Sequence, residues 1–411
     1  MRTNIFSIFV MAIMAVMLVS CGSGTSPTGE SEGDSTGVTD TEIVVGSFGP
    51  LTGPAALWGN IMKGMDAYFK MINEEGGING RTVKFVMKDD AYDPSRTVPA
   101  VREMVQRDEV FAFVGGIGTA PCMSVMNYIT ENNIPWISPI SGATHWSIPL
   151  NPQIFSVLPY YIDEGAIQAR YAINELQSDK IGIIYQNDDV GKSALVGARH
   201  ILQENGLDFV AEVPVEPTDT DLSSHIARLK SSGADVVLLW TLPRQGAITV
   251  SNSQVINYTP QFIASFILSD MGLMHNLTKG AWEGVIFGTF ARPPFNLEDA
   301  TIAKYKDAMA KYYPDVRWGI FPYGGFLYAR PFTEALASIE GTVTREKLLD
   351  AMNKLDFEFD NSRFQYSPDN HQAFRSMQML KCTGPESFEE LSGLIEADVD
   401  LMPLIEELEA L

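Results

Sequence analysis

From Glu42 onward, short apolar runs alternate with stretches in which apolar residues return every three or four positions. Ile43-Val44-Val45-Gly46-Ser47-Phe48 is a strand-length run that ends in a Gly/Pro loop, FGPLTGPAALWGN. Beyond it Ile61, Met65, Tyr68 and Ile72 recur at spacings of 4, 3 and 4, one face of a 3.6-residue period, which predicts a helix. Gly76-Gly77 stop that helix, and Asn79-Gly80 turn the chain into a strand over 83–87. A helix over 95–107 carries Val98, Val101 and Val105 on one face; a strand over 110–114, a helix over 122–131 and Pro135-Trp136-Ile137 follow. The order then repeats: strand 181–185, helix from Gly191 to about Asn205, strand 209–213, helix 222–231, strand 235–240, helix 245–257 and strand 261–264. Two α/β lobes, each a doubly wound parallel sheet with helices on both faces, are therefore expected. Ligands of such sheets sit beyond the carboxyl ends of the strands, so two facing lobes pool those loops into one cleft.

The first 41 residues follow another pattern. Arg2 precedes a charge-free apolar run over 5–19, about the length of a signal-peptide core and short of the ~20 residues a spanning helix needs. Leu18-Val19-Ser20-Cys21 follows at once and resembles the lipobox of bacterial lipoproteins, in which the cysteine is acylated after cleavage just before it. An ordinary signal peptide with an incidental cysteine is the alternative. A signal peptide over 1–20, lipidation at Cys21 and a flexible linker over 21–41 are expected, because the Gly/Ser/Thr/Pro-rich segment has too little apolar surface to offset its ordering entropy. The chain is then exported and lipid-anchored at the cell membrane.

Charge narrows the partners. Lys and Arg total 29 against 51 Asp and Glu, a net charge of −22, which disfavours nucleic acid and anionic lipid. Besides Cys21 only Cys122 and Cys382 are present; two cysteines so far apart make no disulfide framework, and both are expected to be buried thiols.

Candidate chemistry is sparse. Gly116-x-Gly118 follows a strand, but Pro121 stands where a dinucleotide fingerprint needs glycine, and no cofactor is expected. The loop reads either as a plain strand-to-helix turn or as a place where backbone N–H groups at a helix start meet a bound carboxylate. H-E-x-x-H, G-x-x-x-x-G-K-[ST] and C-x-x-C are absent, and five scattered histidines lack metal-ligand spacing, so neither a metal site nor an enzyme is expected. Asp89-Asp90 and Asp188-Asp189 end strands and read as loop caps before they read as acid/base pairs. Trp58, Tyr160-Tyr161 and Tyr185 are divided between core packing and an aromatic wall for a ligand.

In combination, VGSFGPLTGPAALWGN, INEEGGINGRTVKFVMKDDAYDPSRTV, FVGGIGTA, IPWISPISGAT, IYQNDDVGKS and SRFQYSPDNHQAFRS resemble the type I periplasmic solute-binding proteins of branched-chain amino acid ABC transporters over about 42–385. The resemblance implies two lobes joined by three crossovers, near 156–160, 288–292 and 363–370. One lobe is then 42–157 plus 290–365, the other 158–289 plus 366–388, and the Leu/Glu-rich 389–411 an acidic helical tail. It implies ligand contacts at Trp58, at Thr119 and Ala120, at Ser141, Gly142, Ala143 and Thr144, and at Tyr185 and Asp188 in the closing loop. The acidic residue that holds the amino group of amino-acid ligands falls near Ser265-Phe266, where no carboxylate stands; Phe266 is counted among the ligand contacts, and Asp270, four residues on, is the candidate substitute. The family's stacking tyrosine aligns near Val190, and Tyr92 and Gly118 stand where a loop disulfide is usual. A small amino acid-like or carboxylate-bearing ligand is expected, delivered by a monomer to an ABC permease. A sensor module of the same fold, and less so an α/β enzyme, are the rival readings; neighbouring permease and ATPase genes favour transport.

Overall fold

The computed structural model describes residues 33–360 and 362–411. The expected signal peptide, the acylated Cys21 and the linker up to residue 32 lie outside the described residues.

The first lobe opens with β1 (Glu42–Gly49), α1 (Gly59–Glu74), β2 (Thr82–Asp89), α2 (Pro94–Gln106), β3 (Ala112–Val114), α3 (Thr119–Glu131), β4 (Trp136–Ile137) and β5 (Ile154–Phe155). Its sheet runs β2-β1-β3-β4-β5 and every pair is parallel, β1 lying on β2 with Glu42 beside Thr82. The second lobe continues with α4 (Tyr161–Asn174), β6 (Ile181–Gln186), α5 (Asp189–Glu204), β7 (Ala211–Val215), α6 (Ser223–Ser232), β8 (Val236–Trp240), α7 (Pro243–Val255), β9 (Gln261–Ala264), α8 (Met271–Leu277) and β10 (Ile286–Thr289). The strand expected at 209–213 thus starts two residues later than the pattern suggested. The chain returns to the first lobe for α9 (Ala300–Tyr312), α10 (Ile320–Ala337), α11 (Arg345–Met352) and the hairpin β11 (Asp356–Phe359)–β12 (Ser362–Gln365), then ends in the second lobe with β13 (Ser376–Gly384), β14 (Ser387–Glu396) and α12 (Leu401–Glu409). The second sheet is β14-β13-β10-β9-β8-β6-β7, parallel from β7 to β10, with β13 antiparallel to β10 and β14 antiparallel to β13.

The Leu/Glu-rich end therefore departs from the helical tail expected of 389–411. Those residues favour a helix by propensity, but the turn Gly384-Pro385-Glu386-Ser387 folds them back onto the open edge of β13, whose backbone groups they satisfy. Only Leu401–Glu409 is helical, and it belongs to the second lobe: Leu401 and Leu404 pack with Tyr160, Ile162 and Val196, and Glu407 pairs with Arg199 at 3.2 Å.

The connections between lobes are tied to one another. Ser156 N–H donates to His371 C=O at 2.8 Å, Ala373 N–H returns to Ser156 C=O at 2.9 Å, and Gln372 Nε2 donates to Leu158 C=O at 2.5 Å. Phe290, on the segment leaving β10, packs on Phe374 with ring centroids 5.5 Å apart. Within the first lobe α1 and α10 touch through glycines: a Cβ at Gly64 would lie 2.0 Å from Pro322 C=O, and one at Gly325 would lie 2.2 Å from Ile61 C=O. That approach brings α10 up to the mouth of the sheet. Cys122 and Cys382 are free and buried, one in each lobe, and burial raises both thiols.

Candidate ligand-binding site

Between the lobes lies a cavity of about 740 Å³, counting its solvent-open mouth. Its first-lobe wall comes from the entrance of α1 (Trp58, Ile61), from Tyr92, from the loops after β3 and β4 (Ile117, Gly118, Ile140), and from α10. On α10 the lining positions Ile320, Tyr323, Gly324, Leu327 and Tyr328 fall at helical spacing. The second-lobe wall is Tyr161, Val190, Phe266, Ile267 and Ser269, and the crossing segment adds Thr289 to Arg292.

The walls are aromatic and aliphatic. Trp58 stands edge-on to Tyr92, centroids 5.6 Å apart; Tyr161 stacks on Phe266 at 5.7 Å; Phe290 meets Phe266 edge-on at 5.7 Å. The few polar groups are mostly engaged. Ser269 Oγ donates to Phe266 C=O at 2.6 Å and Thr289 Oγ1 to Ala291 C=O at 2.5 Å. Arg292 is the only charged side chain among the described residues that line the cavity. It is 48% exposed and lies 3.6 Å from Glu390, and its charge offsets only part of the burial that raises the Asp360 carboxyl.

Two of the residues expected as ligand contacts face the cavity. Trp58 and Phe266 line the cavity, and Trp58 Nε1 also donates to Ile267 C=O at 3.0 Å across the cleft. Tyr92 and Gly118, at the positions of the usual disulfide, pack together instead: Gly118 has φ +99°, and a Cβ there would strike the Tyr92 ring at 2.3 Å. Tyr92 in turn accepts a bond from Gln186 Nε2 of the second lobe at 3.1 Å.

Other expected contacts are not part of the wall. Thr119 is buried with Oγ1 2.7 Å from Ser141 Oγ, so the two hydroxyls satisfy each other; Ala120 lies on α3 away from the cavity. Ser141 Oγ also accepts Ala143 N–H at 3.2 Å, Gly142 C=O accepts Tyr161 N–H, and Thr144 begins a short 3-10 turn over Thr144–Trp146. These residues sit behind Tyr161. Tyr185 points away, toward Gly191 and Glu212, because the side chain at the end of β6 falls on the helix-covered face of the sheet. Asp188 caps α5 through Val190 N–H at 3.0 Å and accepts from Gln186, and burial raises its carboxyl. Asp270 also stays out of the cavity. It caps α8 through Leu273 N–H at 3.1 Å and accepts Phe321 N–H of α10, in the other lobe, at 3.0 Å. Burial raises its carboxyl too.

Sequence reasoning missed α10, Phe290 and Arg292. The run IFPYGGFLYARPF is apolar on every side, the mark of a helix covered on all faces, and that signal was available. Behind the second wall, fully buried Glu164 accepts Phe266 N–H at 2.7 Å and Ser265 Oγ at 2.8 Å, holding the loop that carries Phe266; burial pushes it up to about 8. The stretch Gly33-Asp34-Ser35-Thr36-Gly37 has the glycine spacing of a nucleophile elbow, but it precedes a strand and Ser35 Oγ donates to Val343 C=O, so it is a plain turn.

Two α/β lobes, crossing segments laced together and an apolar cavity walled from both sides define a two-lobed binding protein that holds a small ligand in its cleft. The family model described as "Periplasmic binding protein" matches residues 42–386, and the chain belongs to that family. It is 26% identical over 208 residues to "Leu/Ile/Val-binding protein homolog 3" of Brucella melitensis, a match covering 50% of this chain and 56% of that protein, little more than half the relative's length. A possible leucine/isoleucine/valine-binding protein from Rhodopirellula baltica superposes with a TM-score of 0.78 at 20% identity, covering 87% of this chain and 98% of that one. A fatty acid ABC transporter substrate-binding protein from Thermomonospora curvata gives 0.78 at 24% identity, covering 89% and 95%.

Proposed function

We propose that this chain is the exported, lipid-anchored solute-binding component of an ABC importer, which captures a small organic molecule between its lobes and hands it to a membrane permease. The observation that carries the reading is the apolar cavity walled by both lobes at the crossing segments, since a ligand there touches both lobes and so favours their closure. The Leu-Val-Ser-Cys sequence after a short apolar run supports export and acylation at Cys21. Similar proteins carry names for aliphatic amino acids and for a fatty acid, so the scaffold serves both, and the cargo has to be argued from the cavity. A compound screen by thermal shift, on protein beginning after residue 21, tests the reading. A ligand at 100 times its dissociation constant adds about 2.7 kcal/mol of stability and lowers the radius of gyration in solution scattering. A saturating ligand that leaves the scattering curve unchanged argues against capture between closing lobes.

A further inference from the structure

We propose that Tyr161 fills from within the seat that the resemblance assigns to a ligand's head group, so that the cleft selects an apolar monocarboxylate without an ammonium group and meets its carboxylate at Arg292. The inference rests on the solute-binding reading above and names the substrate class of that site.

The geometry starts behind the wall. The Thr119 and Ser141 hydroxyls, 2.7 Å apart, bond to each other. Tyr161 packs on the same loop, at Gly142: its N–H donates to Gly142 C=O at 2.8 Å, and a Cβ at Gly142 would come within 2.8 Å of the ring. Gly142 therefore admits that ring, which lies against the loop that carries Ser141. The resemblance assigns the hydroxyl and amide groups of that loop to a ligand carboxylate. The ring's other side stacks on Phe266, which fills the place where an acidic partner for an ammonium is expected.

An ammonium entering this cavity would meet Trp58, Tyr161, Val190 and Phe266, with no carboxylate among the described lining residues. Burying a charge without a partner is strongly unfavourable. Asp270 gives no help, since its oxygens serve Leu273 N–H and Phe321 N–H. The one charged residue of the lining is Arg292, whose half-exposed guanidinium lies 3.6 Å from Glu390 and near Asp360 at the cavity's solvent edge. A guanidinium can give a carboxylate two parallel hydrogen bonds, so an acid's apolar body fits the aromatic walls while its head turns to the rim.

The test uses two matched sets of probes measured by calorimetry: L-leucine, 4-methylpentanoate and 4-methylpentanamide, then L-phenylalanine, 3-phenylpropanoate and 3-phenylpropanamide. Within a set the apolar body is constant and only the head changes. The acid is expected to bind at least about tenfold more tightly than its amino acid. Arg292→Gln should weaken the acid about five- to tenfold and leave the amide within about twofold. Tyr161→Ala should cut the preference for acid over amino acid by about tenfold, while Tyr161→Phe, which keeps the ring in the seat, should hold it within about threefold. An amino acid that binds as tightly as its acid, a Tyr161→Ala variant that folds and keeps the full preference, or an acid indifferent to Arg292→Gln overturns the proposal and leaves capture in the cleft standing. Binding of none of the six at millimolar concentration also overturns it. Binding that ignores Trp58→Ala places the ligand elsewhere and overturns the underlying reading as well.

Discussion

Replacing Asp270 with alanine removes one acceptor from two helices in different lobes. The bond to Leu273 N–H lies within the second lobe and survives opening; loss of such an N-cap costs about 0.5–2 kcal/mol of stability. The bond to Phe321 N–H exists only while the lobes are closed, and a hydrogen bond to a charged group is worth about 1.5–3 kcal/mol. Part of that is offset, because Asp270 is 3% exposed and closure takes its charge out of water. A net of about 1–2 kcal/mol remains, which predicts that Asp270→Ala weakens any cleft ligand about 5–30-fold. Asparagine caps helices as well as aspartate but offers one acceptor oxygen where aspartate offers two, so Asp270→Asn should keep the cap on α8, lose the bond to Phe321 N–H and weaken binding about as much as alanine does. Gly319 supplies an independent perturbation: a Cβ there would lie 2.6 Å from Asp270 Oδ1, so Gly319→Ala should weaken binding by displacing the carboxylate, and should add little once Asp270 is alanine. Calorimetry on the four single and double variants, with thermal melts of the empty proteins, separates the cap from the lobe-to-lobe bond. The reasoning is refuted if Asp270→Ala binds as wild type does. It is also refuted if Asp270→Asn binds as wild type does, because the second oxygen would then not be joining the lobes.

Glu164 gives a pH signature: its folded pKa, about 8, lies above its ordinary 4.5, so the folded state binds the extra proton and stability falls as pH rises from about 5 to 8. Glu164→Gln should flatten that decline, by an amount on the order of a few kcal/mol at the upper end, in urea melts taken across the range; parallel slopes for variant and wild type would refute it. Gly64→Ala forces a methyl to within 2.0 Å of Pro322 C=O and should cost about 1–3 kcal/mol or more in stability while pushing α10 off the cavity, whereas alanine at Gly76, with open space around it, is limited to the strain of its φ of +103°. Cys21→Ser should leave the protein unprocessed or release it from membranes; a variant cleaved at the same bond that still pellets with membranes would sink the lipid-anchor reading.

The alternation of strands and helices was readable because each element obeys one period and is bounded by Gly, Pro or Asp punctuation. Asp93 before Pro94 and Gly233 after Ser232 are examples, the first capping α2 through Ser95 N–H at 2.8 Å and the second closing α6 at φ +76°. The edge strand β14 was not readable, because Leu and Glu favour a helix and only a partner edge elsewhere in the sequence overrides them. The site was half legible. Trp58 and Phe266 occupy loop positions fixed by neighbouring strands, so matching the loop placed them. Thr119 and Ser141 came from the same matching, yet their hydroxyls bond to each other beside Tyr161, which arrives from the other lobe. Asp270 carries the same lesson: a carboxylate near the cleft in sequence became a cap, because backbone N–H groups at two helix ends take both its oxygens.

The apolar lining bears on closure as well as on selectivity. With the lobes shut and no ligand between them, Trp58, Phe266, Phe290 and Tyr328 would face space in which they lose dispersion contacts. The Trp58–Ile267, Gln186–Tyr92 and Phe321–Asp270 bonds favour closure, but each replaces a bond to water and nets only about 0.5–3 kcal/mol. A ligand whose capture buries about 150 Å² of apolar surface, its own included, contributes by contrast about 4 kcal/mol at ~25 cal/mol per Å², and does so only when both walls are in place. Because the closed form alone enjoys that contact, the ligand shifts the equilibrium by the full difference. A polar ligand of the same size, lacking partners on these walls, has no comparable difference to offer. The aromatic walls that leave an ammonium unpaired thus also set which molecules can shut the cleft, so weak binding of an amino acid should be accompanied by incomplete closure in scattering, and the two measurements should fail or succeed together.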